Sequence, residues 1–147
     1  MQRNLKYSII ERVEASHTAL IHDHVNLYGC KIGENTKIDS FVYIEEGVKI
    51  GSGCKIRPFV FIPTGVVIGD NVFIGPNVTF TNDRYPKVSG DWKLEETVVE
   101  DDVSIGAGTV VLPGITIGKG SLVGAGSVLA KTVPPHSKVI GNRVLPL

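Results

Sequence analysis

Residues 32–80 read IGENTKIDSFVYIEEGVKIGSGCKIRPFVFIPTGVVIGDNVFIGPNVTF, and every sixth position is a large apolar residue. The beat runs through Ile32, Ile38, Ile44, Ile50, Ile56, Ile62, Ile68, Ile74 and Phe80. It resumes as Val99, Ile105, Val111, Ile117, Val123 and Leu129. Two positions earlier sits a smaller partner, such as Val42, Val48, Val60, Val66, Val72, Val78, Val103 or Thr109. A period of six fits neither a 3.6-residue helix nor a two-residue alternation. It fits a hexapeptide repeat, in which three short strands make one triangular coil of a parallel β-helix.

The residues between beats agree. Three positions after a beat the chain must turn, often with φ > 0, where Gly, Asn and Asp cost least. Those positions hold Asn35, Gly47, Gly53, Gly65, Asn71, Asn77, Asp102, Gly108, Gly114, Gly120 and Gly126. Phe41 and Phe59 depart from the rule; eighteen residues apart, one coil, they are expected to stack on one corner. Tyr43 and Phe61 have the same spacing and should face outward together, as a subunit contact or a platform for a ligand. Counting beats predicts about five regular coils, a prism roughly 24 Å tall at about 4.8 Å per coil. Residues 1–31 keep the pattern poorly: Leu20 is in phase, but Asn26 stands where an Ile belongs. They are expected to form an irregular first coil that caps the open end.

At 147 residues the chain is read as one domain, 1–147, all-β. Fifteen basic and fifteen acidic residues give a formal net charge of zero, with no Lys/Arg run, which argues against nucleic acid and anionic membrane as partners. The N-terminal MQRNLKYSIIERVE has the form of neither a signal peptide nor a membrane span, so a cytoplasmic location is expected. Cys30 and Cys54 both occupy the small inward position, one coil plus one side apart. A disulfide needs Cα atoms within about 7 Å, so two free buried thiols are expected.

Between Phe80 and Val99 the beat stops and the chain reads TNDRYPKVSGDWKLEET. An insertion in a solenoid bulges from one corner and is commonly functional. Here an amide, a carboxylate, a guanidinium and a phenol (Asn82, Asp83, Arg84, Tyr85) fall together, groups suited to orienting a sugar, with the only Trp, Trp92, nearby.

The beat and its Ile-Gly pairs at Ile32, Ile50, Ile68, Ile74, Ile105 and Ile117 resemble the left-handed β-helix acyltransferases. More narrowly, Asn26-Leu27-Tyr28-Gly29-Cys30, VFIGPNVTFTNDRYP from Val72 to Pro86, and Val133-Pro134-Pro135 are similar to sugar N-acetyltransferases acting on nucleotide-linked 3-amino sugars. The resemblance implies a left-handed winding, homotrimers, acetyl-CoA lying between neighbouring prisms, and a dTDP- or UDP-linked amino sugar as substrate, for surface polysaccharide or glycan synthesis. It points to Asn82 as the residue holding the sugar amine. The chain departs from that pattern at Gly141-Asn142-Arg143-Val144, where relatives carry Gly-Asn-Pro-Ala, which puts the cofactor contacts of that segment in doubt.

Acyl transfer from a thioester needs no metal but needs donors for the tetrahedral oxyanion. Gly106, Ala107, Gly124 and Ala125 leave backbone open on successive coils, a track for pantetheine, with Lys119 and Lys131 as candidates for the CoA phosphates. No His occurs between His24 and His136. A sugar amine with a pKa of about 8 is partly neutral at pH 7 and can attack without a strong base. Asp83 is the fallback base, expected to be weak beside Arg84. Tyr43, Phe61 or Trp92 are candidates to stack on the base and Arg57 or Arg84 to meet the diphosphate. His22 and His24 are read as alternating along a strand, with His17 near them, in a capping or substrate-contacting cluster. The alternatives are O-acetylation of a sugar, which wants a His base, and a non-catalytic β-helix subunit. A zinc site would need converging His ligands that the coils lack.

Overall fold

A computed structural model describes residues 5–147, and these form an all-β parallel solenoid with no helix among the described residues. Three parallel sheets run down its length. Sheet I stacks Ile9–Glu11, Asn26–Tyr28, Tyr43–Ile44, Phe61–Ile62, Thr79–Phe80, Val110–Val111 and Val128–Leu129. Sheet II runs from Glu14–Ala15 to Thr116–Ile117, and sheet III from Leu20–Ile21 to Ser137–Ile140, closed by an antiparallel strand Arg143–Pro146. The chain visits I, II and III in order, so three corners recur: I–II, II–III and III–I.

Every beat residue from Ile32 to Leu129 is buried, with Ile38, Ile44, Ile56, Ile62, Ile74 and Phe80 at zero exposure. The physical cause is the pleat: strand residues alternate faces, so the beat and the residue two before it share the interior. Several of those smaller partners are hydroxylic, and their oxygens are satisfied by corner backbone. Thr36 donates to Gly51 O at 2.7 Å, Thr109 to Gly106 O at 2.8 Å and Ser127 to Gly124 O at 2.6 Å. Buried hydroxyls so paired cost little.

Seven turns stack rather than five, roughly 34 Å at the spacing of about 4.8 Å per turn. The two extra turns lie at the ends. At the N-terminal end the beat is present but shifted: Ile10 pairs with Leu27, Ala15 with Ile32, Ile21 with Ile38 and Leu27 with Ile44, each seventeen residues apart. Two sides of the prism are a residue short, between Ile10 and Ala15 and between Leu27 and Ile32. Leu27, not Asn26, therefore fills the interior, and Ile21, not Leu20, is in phase. At the other end Val133 bridges to Ile117 and Val139 pairs with Val123, completing a seventh turn.

All eleven corner residues predicted to turn have φ between 55° and 97°. Phe41 and Phe59 share that conformation (φ 64° and 63°), and so do His24 (61°) and Tyr7 (52°). A bulky residue there costs on the order of 1 kcal/mol or more each. The four rings form one ladder, with centroids 5.2, 5.1 and 5.2 Å apart from Tyr7 through His24 and Phe41 to Phe59. Stacking offsets part of that strain. Tyr43 and Phe61 face outward together as expected, their rings tilted by 52° with centroids 5.6 Å apart on the outer face of sheet I. His22 and His24 sit at a corner rather than along a strand and meet different neighbours. Cys30 and Cys54 are buried and free, and burial pushes the Cys30 thiol up to about 11.

Candidate functional site

Two corners flank sheet I, and the candidate residues divide between them. The insertion leaves from the I–II corner of turn five and lengthens that turn by thirteen residues: Phe61 pairs eighteen on with Thr79, but Thr79 pairs with Val110. The expected bulge is tied back to its corner. Asn82 Nδ2 donates to Thr64 O of the turn above at 3.0 Å, and Arg84 Nη2 donates to Pro113 O of the turn below at 2.8 Å. Arg84 also grips Glu95 through Nε (3.1 Å) and Nη2 (2.7 Å), and Trp92 Nε1 donates to Asn82 O at 3.1 Å. Two glycines make room for the return: a Cβ at Gly65 would lie 2.7 Å from Leu94 Cδ1, and one at Gly114 would strike Glu95.

These ties change the reading of three residues. The carboxylate that Arg84 grips is Glu95, whose carboxyl the guanidinium's hydrogen bonds hold below its usual range. Asp83 instead accepts from the Tyr85 N–H at 3.1 Å, shaping the loop. Arg84 has its Nε and Nη2 donors committed within the chain, which removes most of the fork a diphosphate would use. With its Nδ2 fixed, Asn82 keeps its Oδ1 as a free acceptor, and Tyr85 projects into solvent at 78% exposure.

The opposite flank is the III–I corner. Down its length it carries His22-Asp23-His24, Asp39-Ser40-Phe41, Arg57-Pro58-Phe59, Gly75-Pro76-Asn77, Gly106-Ala107-Gly108 and Gly124-Ala125-Gly126. The upper turns hold a charged cluster. Asp39, largely buried, accepts Arg57 Nη1 at 2.8 Å and Lys37 Nζ at 3.2 Å. His22 Nε2 lies 3.9 Å from its Oδ1 and has no hydrogen-bond partner.

The lower turns are bare. Ala107 and Ala125 are exposed residues, and their N–H groups bond to nothing within the described residues. The glycines above them are required: a Cβ at Gly106 would lie 2.5 Å from Ala125 N, and one at Gly75 would lie 2.7 Å from Ala107 N. Equivalent glycines occur at the II–III corner, but there side chains of adjacent turns take most of the donors, the Asp101 N–H excepted. Ser52 N–H donates to Asp70 at 2.7 Å, Asp70 N–H to Asp101 at 2.8 Å and Lys119 N–H to Glu100 at 2.7 Å. Small residues alone do not distinguish the two corners; the missing caps do.

Lys119 and Lys131 lie away from this track. Lys119 is on the II–III corner, 3.8 Å from Asp102, and lines a shallow cleft of about 400 Å³ with Val67, Val98 and Glu100. Lys131 is on the I–II side and lines a cavity of about 180 Å³ with Val128, Val139 and Asn142. The Phe41–Phe59 stack was expected from its spacing and is present; its extension to His24 and Tyr7, the Asp39 cluster and the Arg84–Glu95 clamp were missed by sequence reasoning. The eighteen-residue spacing visible between Phe41 and Phe59 would have led to Asp39 and Arg57 beside them.

A stack of three-sided turns built on a six-residue beat, with an insertion docked on one corner, is the architecture of a hexapeptide-repeat β-helix. The model described as bacterial transferase hexapeptide (six repeats) matches residues 29–64 and 96–131, and the hexapeptide repeat of succinyl-transferase matches 65–81. The chain belongs to the hexapeptide-repeat transferase family. A Schizosaccharomyces pombe protein bearing an acetyltransferase name is 39% identical over 85 residues, 52% of this chain and 40% of that one. Galactoside O-acetyltransferase of Lactococcus lactis is 38% identical over 78 residues, 49% of this chain and 37% of that one. The aligned parts thus span about two fifths of these curated relatives. In fold, the chain is similar to the N-acyltransferase AntD from Bacillus cereus, solved with dTDP-4-amino-4,6-dideoxyglucose and coenzyme A. That likeness has a TM-score of 0.79 at 22% identity and covers 90% of this chain and 80% of that one. PerB from Caulobacter crescentus, solved with CoA and GDP-perosamine, has a TM-score of 0.62 at 20% identity, covering 92% and 57%.

Proposed function

We propose that the protein is an acetyl-CoA-dependent N-acetyltransferase acting on the amino group of a nucleotide-linked amino-deoxy sugar. The observation that carries the reading is the pair of uncapped amides at Ala107 and Ala125, one turn apart on an edge stripped of side chains. Donors so arranged suit the carbonyls of a pantetheine arm and the oxyanion of a thioester under attack. The fold relatives solved with CoA and amino-sugar nucleotides support the same class.

In this mechanism the sugar amine is oriented by the free Oδ1 of Asn82. Its nitrogen lone pair attacks the thioester carbonyl, an Ala107 or Ala125 N–H holds the oxyanion, and the C–S bond breaks as the amide forms. The ammonium proton leaves to the departing thiolate or to water, with Asp83 as the nearest carboxylate.

The two flanks stand on opposite sides of sheet I, so the complete site needs a second copy. The outer row of sheet I supports this: Ile9, Asn26, Tyr43, Phe61, Thr79, Val110 and Val128 carry no charge over seven turns. The corresponding rows of sheets II and III include Lys31 and Lys49, and Lys37 and Lys55. Packing sheet I faces in a cyclic trimer would set the loop of one copy against the III–I edge of the next.

The test is thiol release from acetyl-CoA against a panel of dTDP-, UDP- and GDP-linked amino sugars and their hydroxyl counterparts, with sedimentation of the same preparation. Turnover of one amino sugar by a trimer is expected. Turnover of the hydroxyl sugar alone would replace N- with O-acetylation, and silence with no acetyl-CoA binding would leave a non-catalytic subunit.

A further inference from the structure

The corner ladder has a free end. Its column continues below Phe59 as Asn77, Gly108 and Gly126, and a Cβ at Gly108 or Gly126 would meet nothing within 4 Å. The face of Phe59 turned toward those positions has no ring partner, whereas Phe41 is stacked on both sides, by His24 and Phe59. Phe41 and Phe59 are 52% and 58% exposed. Both hold a backbone conformation that Asn or Gly fills at every other regular repeat corner except Asp102, so the rings are retained against the local preference of the chain.

Two residues from Phe59 stands Arg57, and with Lys37 and His22 it surrounds the single carboxylate of Asp39. Arg57, Lys37 and Lys55 beside it on sheet III, against Asp39 and Asp23, leave this patch with an excess of positive charge beside an unstacked aromatic face. Planar heterocycle and phosphate are the two chemistries that match it.

We propose that the upper III–I corner is a nucleotide-binding site. The base extends the ladder beneath Phe59 with the Asn77 amide at its edge, and the phosphates meet Arg57 and Lys37. The inference rests on the acetyltransferase reading only for the source of the nucleotide. That source is the sugar nucleotide or the adenosine diphosphate end of CoA, and both have the required chemistry.

Calorimetric titration of the whole protein with dTDP, UDP, GDP, ADP and CoA separates them. The informative variant is Phe59→Asn, because Asn35, Asn71 and Asn77 already occupy equivalent corners at φ 55° to 59°. Loss of one base stack should weaken the nucleotide roughly five- to 150-fold, with sedimentation and Tm close to the parent. Arg57→Gln, which leaves the ladder intact, should weaken diphosphates but not the free nucleoside. The source is CoA if ADP and CoA are the titrants affected, and the sugar nucleotide if dTDP, UDP or GDP is. The proposal is overturned if no nucleotide binds the parent protein, if Phe59→Asn binds all of them as the parent does, or if it loses binding only by dissociating the assembly. Acetyl transfer on the same samples keeps the two readings apart. Nucleotide binding through Phe59 without turnover sinks the enzyme reading alone; turnover with an unchanged KM in Phe59→Asn sinks the nucleotide site alone.

Discussion

Arg84 and Glu95, eleven residues apart in sequence, close on each other at 2.7 Å and fold the insertion onto two glycines of the solenoid corner. The pair is half-exposed, with 38% and 31% of its side chains accessible, so its contribution to global stability is modest. Its effect is geometric: the same loop carries Asn82, whose main-chain carbonyl accepts Trp92. Arg84→Lys keeps the charge but loses the fork. It should lower kcat/KM for acetyl transfer about tenfold and shift Tm by no more than a few degrees. A Tm collapse with normal kcat/KM in the surviving fraction would contradict a positioning role.

The clamp also sets an acid limit. Glu95 is held below its ordinary value of 4.5 by the hydrogen bonds from Arg84. A lowered carboxyl pKa stabilises the native loop fully above that ordinary value, and the contribution is lost as pH falls through the lower native one. Proteolysis within residues 84–94 should therefore accelerate as pH falls below the ordinary carboxyl range while the solenoid remains resistant. Glu95→Gln should show the fast cleavage already at pH 7.

The uncapped amides can be deleted in place. Pro58 and Pro76 occupy the same corner position in turns three and four, so Ala107→Pro and Ala125→Pro fit the local backbone while replacing the N–H with ring methylene. If one of these amides holds the oxyanion, its proline variant should lose about 10²- to 10³-fold in kcat. Circular dichroism should stay unchanged. Turnover at the parent rate in both variants would eliminate this edge as the oxyanion site.

Burial raises both thiols, Cys30 to about 11. Native protein should react with Ellman's reagent at pH 8 far more slowly than free cysteine, and two thiols per chain should appear in urea. Rapid native labelling would mean that the interior opens. The raised pKa also lowers stability as pH climbs above the unfolded value of about 9, because only the unfolded thiol then ionises.

The six-residue beat carried most of the fold because a β-helix is built from local repetition. Each inward residue meets its own kind one turn away, so period, corner identity and the length of the insertion could all be read directly. The N-terminal turns were read only as one irregular coil because sides a residue short before Ile32 and before Ala15 shift the phase of what precedes them, and a pattern read back from Ile32 sees irregularity where there is only an offset. Asn82 was legible from its motif, and the Ala107 and Ala125 edge from its small residues.

What only the tertiary structure decided is which polar groups are already spent. Arg84 and Arg57 look equally available in sequence, yet one is committed to Glu95 and Pro113, and the other joins a charged cluster at the head of the amide edge. Glycines occur at both corners, but side chains of neighbouring turns cap most of the amides on one and leave those of Ala107 and Ala125 open on the other. Such pairings join residues from different turns at distances set by the stacking, and no local pattern encodes them. The beat determined the scaffold; hydrogen-bond satisfaction between turns determined which edge is free to bind.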